Sequence, residues 1–191
     1  MPGASVLVAE MNIHRGEPSD EQLETQFRAG DESGFEILYR RYRHPLMRYL
    51  TRLCGNLVEA QDLMQETFVR VFVSQSRTPR GIFRVWLYKV ATNVYRGFLR
   101  KRAVRRETHL GEQSEQIIAS HKKGQSANDV ISRRIREAVQ SLPPLHRTTV
   151  ILLHFQGLSY PEIAQIEGCT VGAIRSRIFH ARRMLRDKLR T

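Results

Sequence analysis

The sequence predicts an all-α protein, two small helical domains joined by a flexible linker, with a helix-turn-helix in the C-terminal domain. Three observations lead there. Apolar residues recur at helical spacing along nearly the whole chain from Asp20 onward. That spacing lapses over residues 108–128, "THLGEQSEQIIASHKKGQSAN", a polar stretch with two glycines that reads as a linker. No strand-like alternation of useful length occurs, and the β-branched "TVILL" sits among helical flanks between Pro144 and Gly157, so it too reads as helix.

In chain order, residues 1–18 form a tail, expected to be disordered, that ends at Pro18. The first domain is expected over residues 19–107. There "QLETQFRAG" closes at Gly30, and "SGFEILYRRYRHPLMRYLTRLCG" closes at Gly55 with Pro45 predicted to kink it. "LVEAQDLMQETFVRVFVSQ" runs into the loop "SRTPRG", and "FRVWLYKVATNVYRGFLRKRAVRRE" completes the set. After the linker, helices resume at about Asp129 with "SRRIREAVQSL" and "PPLHRTTVILLHFQG". The second domain, residues 129–191, then ends in the helix-turn-helix. Ser159 and Glu162 form a capping box, Pro161 fits the first turn, Gly168 makes the turn, and Thr170 caps the second helix. Val171, Ile174, Ile178, Ala181 and Leu185 make that helix's apolar stripe.

The charge narrows the partners. Against 19 Asp+Glu the chain carries 31 Lys+Arg, a formal net charge of +12, which calls for a polyanion. The excess is uneven: the first 36 residues are acidic, and cations concentrate at Arg96–Arg106 and Arg175–Arg190. No apolar run approaches a membrane span, and the N-terminus lacks the basic start of a secretion signal, so a cytoplasmic location without membrane insertion is expected. Cys54 and Cys169 have no metal-ligand spacing, no GxxxxGK[ST] loop occurs, and the histidines are scattered. No metal, cofactor or catalytic residue is therefore assigned, and the chain is read as not an enzyme.

Three surfaces remain. On "EAQDLMQETFVRVF" the stripe Ala60, Leu63, Met64, Thr67, Phe68, Val71 and Phe72 reads as buried, leaving Asp62, Gln65 and Glu66 together on the far side. An acidic-amide patch in a basic protein suits a basic protein surface. On the next helix Phe83, Trp86, Leu87, Val90, Ala91, Val94 and Phe98 read as buried, and Arg84, Tyr88, Lys89, Asn93, Tyr95, Arg96 and Arg100 occupy the other faces. Cations there can track phosphates and aromatics can stack on unpaired bases, while the loop Ser74–Gly81, with Ser76, Arg77 and Arg80, is placed to hold an extruded base. On the last helix Thr170, Ala173, Arg175, Ser176, Arg177, Phe179, Arg182 and Arg183 are candidates for duplex DNA. Arg177 borders the apolar stripe and is expected to meet a phosphate or an acid of its own domain.

Taken together, "DLMQETF", "FRVWLYKVATN" with its basic run, and "LPPLHRTTVILLHFQGLSYPEIAQIEGCTVGAIRSRIFHARRMLRDKL" resemble, in this order and spacing, a bacterial RNA polymerase sigma factor of the extracytoplasmic-function (ECF) group. The resemblance spans about Glu21 to Arg186. It implies a factor that binds core RNA polymerase, directs it to promoters through −10 and −35 elements, and promotes melting. Asp62, Gln65 and Glu66 match the polymerase-docking positions, and Asn93 and Arg100 the −10 helix. Ser74–Gly81 matches the base-capturing loop, and Arg175, Ser176 and Arg177 the recognition helix. An inhibitory anti-sigma partner is also implied. Gly97 and Ala173 depart from the family's usual acid and threonine. A stand-alone helix-turn-helix regulator with a helical sensory domain would account for the C-terminal half alone, and a nucleic-acid-modifying enzyme would need a reactive cluster that the sequence lacks.

Overall fold

The computed structural model describes residues 18–74, 83–108 and 127–190. The tail up to residue 17, the greater part of the expected base-capturing loop, with Ser76, Arg77 and Arg80, and residues 109–126 of the expected linker lie outside the described residues. Eight α-helices account for most of the described chain, and no strand occurs among those residues. In order they are α1 (Asp20–Arg28), α2 (Glu32–Cys54), α3 (Leu57–Val73), α4 (Phe83–Thr108), α5 (Ala127–Gln140), α6 (Pro144–His154), α7 (Tyr160–Glu167) and α8 (Val171–Leu189).

Local sequence sets the helix ends. Ser19 and Gln22 form a capping box on α1, and Asp31 and Asn56 cap α2 and α3 by accepting from backbone N–H groups. Helix α2 runs as one element from Glu32 to Cys54 and accommodates Pro45 within it. Where α1 meets α2, a Cβ at Gly34 would lie 2.5 Å from the Leu23 carbonyl oxygen, so only glycine permits that approach.

The first four helices wrap a core of Leu23, Leu38, Leu46, Leu50 and Leu53 with Tyr49, each without solvent exposure. Burying a leucine side chain contributes about 1.5–3 kcal/mol before the entropy of ordering it. Tyr49 shares a 2.8 Å hydrogen bond with Thr92 of α4, which ties the long helix to the centre of the bundle. In the C-terminal half α8 packs on α5, α6 and α7 through Ile174, Ile178 and Ala181. The two halves also meet: α4 lies against α7, and α2 against α5 and α6. One buried apolar cluster contains residues of both halves.

Candidate nucleic-acid interface

The helix-turn-helix is built as its sequence requires. The Ser159 hydroxyl caps α7, and the Glu162 carboxylate reaches back to the Ser159 N–H at 2.7 Å. Gly168 closes α7 in the left-handed region, at φ +67°, and Thr170 then caps α8 by accepting from the Ala173 N–H at 3.2 Å. With Ile174 and Ile178 buried, α8 presents Arg175, Ser176, Phe179, Arg182 and Arg183 outward, all exposed. Phe179 is 66% exposed, which is unusual for an aromatic and leaves its ring open to a partner. Ala173 is half-buried near the start of the helix.

Arg177 finds an acid of its own domain. It donates to Glu167 at 2.6 Å, and the Thr149 hydroxyl adds a bond to the same carboxylate at 3.1 Å. The Glu167 side chain has no solvent exposure. Burial pushes its carboxyl above the ordinary range, while Arg177 and Arg96 draw it back. The buried Glu167 of α7 thus links Arg177 of α8 to Arg96 of α4.

Helix α4 departs from the face assignment made on sequence. Tyr88 and Tyr95, placed outward by periodicity, are 1% exposed. Tyr88 packs edge-on against Tyr49 with ring centroids 5.1 Å apart, and its hydroxyl donates to the Gln156 side-chain oxygen. The Tyr95 hydroxyl donates to the Leu53 carbonyl at 3.2 Å. Arg84 donates to the Gln156 carbonyl, and Arg96 pairs with Glu167 at 3.0 Å. Conversely Trp86, Val90 and Phe98, expected in the core, are only half-buried. The reason is that α4 is sandwiched, with α2 and α3 along one side and α7 along another. Lys89, Asn93 and Arg100 remain exposed.

The third surface lies on α3. Asp62 and Gln65 are exposed, and Glu66 is paired with Arg70 at 2.6 Å. Met64 and Phe72 are not buried as the stripe implied. They line a groove with Phe35, Tyr39, Gln65 and Phe68, beside the acidic-amide patch. Gln140, Arg147, Gln156 and Glu167 were not singled out from sequence, although each bonds to the other half of the chain. The one local signal was an acid between Ile166 and Gly168, ten residues before an arginine at the edge of the apolar stripe.

A helix-turn-helix with outward cations, set beside a second basic helix rich in aromatics, defines a two-domain helical DNA-binding protein. Comparison with known proteins gives the family. Residues 38–105 match Sigma-70 region 2, and residues 132–185 match Sigma-70, region 4. The chain is 35% identical over 180 residues to the ECF RNA polymerase sigma factor SigE of Mycolicibacterium smegmatis, covering 91% of this chain and 70% of the relative. It is 33% identical over 175 residues to the RNA polymerase sigma-H factor of Pseudomonas aeruginosa, covering 85% and 90%. Among solved structures it is similar to the sigma factor RpoE of Bartonella quintana in complex with the anti-sigma factor NepR. That match has a TM-score of 0.70 and 25% identity, and covers 82% of this chain and 97% of the other.

The chain belongs to the ECF group of RNA polymerase sigma factors. It is thus an alternative sigma factor of promoter-directed transcription initiation, from a family of initiation factors rather than enzymes. No helix among the described residues is long and apolar enough to cross a membrane.

Proposed function

We propose that this factor docks on core RNA polymerase through Asp62, Gln65 and Glu66 of α3. Residues of α4, with the Ser74–Gly81 loop, then capture the −10 strand as it melts, and α8 reads the −35 element as duplex. The domains so used are residues 19–107 and 129–191. The observation that carries the reading is the outward set on α8, Arg175, Ser176, Phe179, Arg182 and Arg183, in a chain whose other half exposes an acidic-amide patch. Opening needs no nucleotide hydrolysis by the factor, because base contacts recover the few kcal/mol lost on unstacking. A protein that works on polymerase acts in the cytoplasm. The solved relative bound to an anti-sigma factor supports an inhibitory partner here as well.

The test is in vitro transcription with purified core polymerase on a genomic library. Discrete promoter-specific transcripts are expected. Replacing Asp62 and Glu66 by lysine is expected to abolish both transcription and co-purification with core, with helical content unchanged. Contacts between charged groups at an interface are worth a few kcal/mol when desolvated and little at a rim. Retained binding by the double variant removes the docking assignment. Specific DNA binding by the chain alone, with no transcript in the presence of core, would make it a stand-alone regulator.

A further inference from the structure

We propose that Arg48, Arg52 and Arg136 form a binding site for a compact, multiply charged phosphate group of the polyphosphate class. The site lies on the seam between the two halves, where α2 meets α5 and the end of α6. None of the three arginines belongs to the surfaces assigned above to polymerase or to promoter DNA.

The backbone brings the three together. Arg48 and Arg52 are one turn apart on α2, so their side chains leave the same face of that helix. Helix α5 packs against α2, and the Gln140 amide of α5 donates to the Arg52 carbonyl. Arg136 stands one turn before Gln140, near enough for its charge to act on Arg52. The Arg52 guanidinium is itself pinned. It donates to the Arg48 carbonyl at 3.2 Å and lies 4.5 Å from the centre of the Phe155 ring. A guanidinium held on an aromatic face keeps its remaining donors in a set direction.

Three cations at one place call for a counter-charge. Other arginines of the same two helices find acids: Arg40 pairs with Glu36, Arg41 with Asp20, and Arg133 with Glu137. Among the described residues no carboxylate pairs with Arg48, Arg52 or Arg136. Burial, followed by the charges of Arg48 and Arg136, holds the Arg52 guanidinium below its ordinary range, with no neighbouring acid to offset them. Arg48 and Arg136 are exposed and Arg52 is half-buried, so an anion can reach the outer two and be held by the inner one.

The arrangement suits a compact polyanion better than a polymer backbone. A nucleic-acid strand carries one charge per phosphate and is served by cations strung along a groove. Here the cations gather about one half-buried guanidinium, so a single phosphodiester would leave much of the repulsion in place. A group with several charges in a small volume offsets all three, and guanidinium forks match phosphate oxygens two at a time.

The probe is inorganic tripolyphosphate, titrated calorimetrically into the full chain at an ionic strength that screens isolated surface charges. One tightly held ion per chain is expected. Arg48→Gln with Arg136→Gln removes two exposed side chains that make no hydrogen bond or ion pair among the described residues, so the fold is kept. Binding is expected to weaken roughly tenfold or more, as the loss of charge-assisted hydrogen bonds requires. Arg52→Lys keeps the charge but loses the fork, and is expected to weaken binding as well. The control pair Lys188→Gln with Arg190→Gln removes the same charge at the end of α8 and is expected to change binding by less than about twofold. Equal losses in the two glutamine pairs would mean diffuse attraction to a basic protein and overturn the site, as would the absence of saturable binding. A second arm measures a short duplex of random sequence on the same variants. If the Arg48 and Arg136 changes weaken duplex binding and leave tripolyphosphate binding unchanged, the cluster serves a nucleic-acid backbone and the compact ligand is overturned. These titrations involve neither polymerase nor a promoter, so their failure sinks the site alone. Absence of promoter-specific transcription with core sinks the functional reading alone.

Discussion

Two basic helices in this molecule face opposite situations. Helix α8 is anchored along one face by Ile174, Ile178 and Arg177, and its Arg175, Arg182 and Arg183 are exposed. Helix α4 is longer and equally basic, but Arg84, Tyr88 and Arg96 are engaged by the other half of the chain, and only Lys89, Asn93 and Arg100 of its candidate residues are exposed. A reader of duplex can be presented ready-made, because the major groove exists before the protein arrives. On the proposed function α4 meets a melted strand, which has no counterpart until the duplex opens. Glu167 joins the two cases, since the same carboxylate fixes Arg177 on α8 and Arg96 on α4.

The severest way to break the comparison is to remove that shared acid. Glu167→Ala leaves two arginines without their partner, at side-chain exposures of 28% and 23%. We expect a loss of about 2–4 kcal/mol in denaturant unfolding of the full chain, with Glu167→Gln intermediate. An unchanged unfolding midpoint would mean the acid anchors neither helix. The next effect belongs to α8 alone. Arg175→Ala should cost about 1–3 kcal/mol and relax preference at one −35 position, measured by binding to promoter variants. A uniform loss across all sequences would reduce Arg175 to a phosphate contact.

How far the sequence carried differs between the same two regions. The helix-turn-helix was legible to the residue, because its signals are local: Ser159 with Glu162, Gly168 at positive φ, Thr170 on Ala173, and one apolar stripe against one surface. Arg177 was narrowed to a phosphate or an acid of its own domain, and it meets the acid Glu167. Helix α4 was misread because a helix buried on two sides has no single apolar stripe. Periodicity put Tyr88 and Tyr95 outward and Trp86, Val90 and Phe98 inward, whereas both tyrosines are buried with hydroxyls bonded to groups far along the chain. The seam was invisible for a related reason. Its bonds join residues about seventy or more positions apart, such as Arg84 with Gln156 and Arg147 with Leu53, and nothing local marks a glutamine as the partner of a distant arginine. On α3 the acidic-amide patch was found, but Met64 and Phe72 were assigned to the core when they line an open groove.

A milder effect is expected at Asn93, one of the exposed residues of α4. Asn93→Ala should impair open-complex formation by about 1 kcal/mol, the net worth of a hydrogen bond, while initial promoter binding changes less. A template with a pre-melted bubble should partly rescue it. Equal defects on duplex and bubble would place Asn93 outside base capture.

The smallest effect separates the two helices most cleanly. Salt dependence counts the phosphates a protein neutralises, because each contact releases condensed counterions. Arg183 is exposed on α8, so Arg183→Ala in the free chain should weaken all duplexes alike and lower the salt slope by about one counterion. Arg96 is held by Glu167, so Arg96→Ala should lower the slope of the free chain less than Arg183→Ala does. With core polymerase bound and the promoter open, the same Arg96 change should reduce the slope more. The measurement is duplex binding across a salt series for the free chain, repeated with holoenzyme on open promoter. If Arg96→Ala lowers the slope of the free chain as much as Arg183→Ala does, both helices are equally available to DNA, and the contrast between a ready reader and a held one disappears.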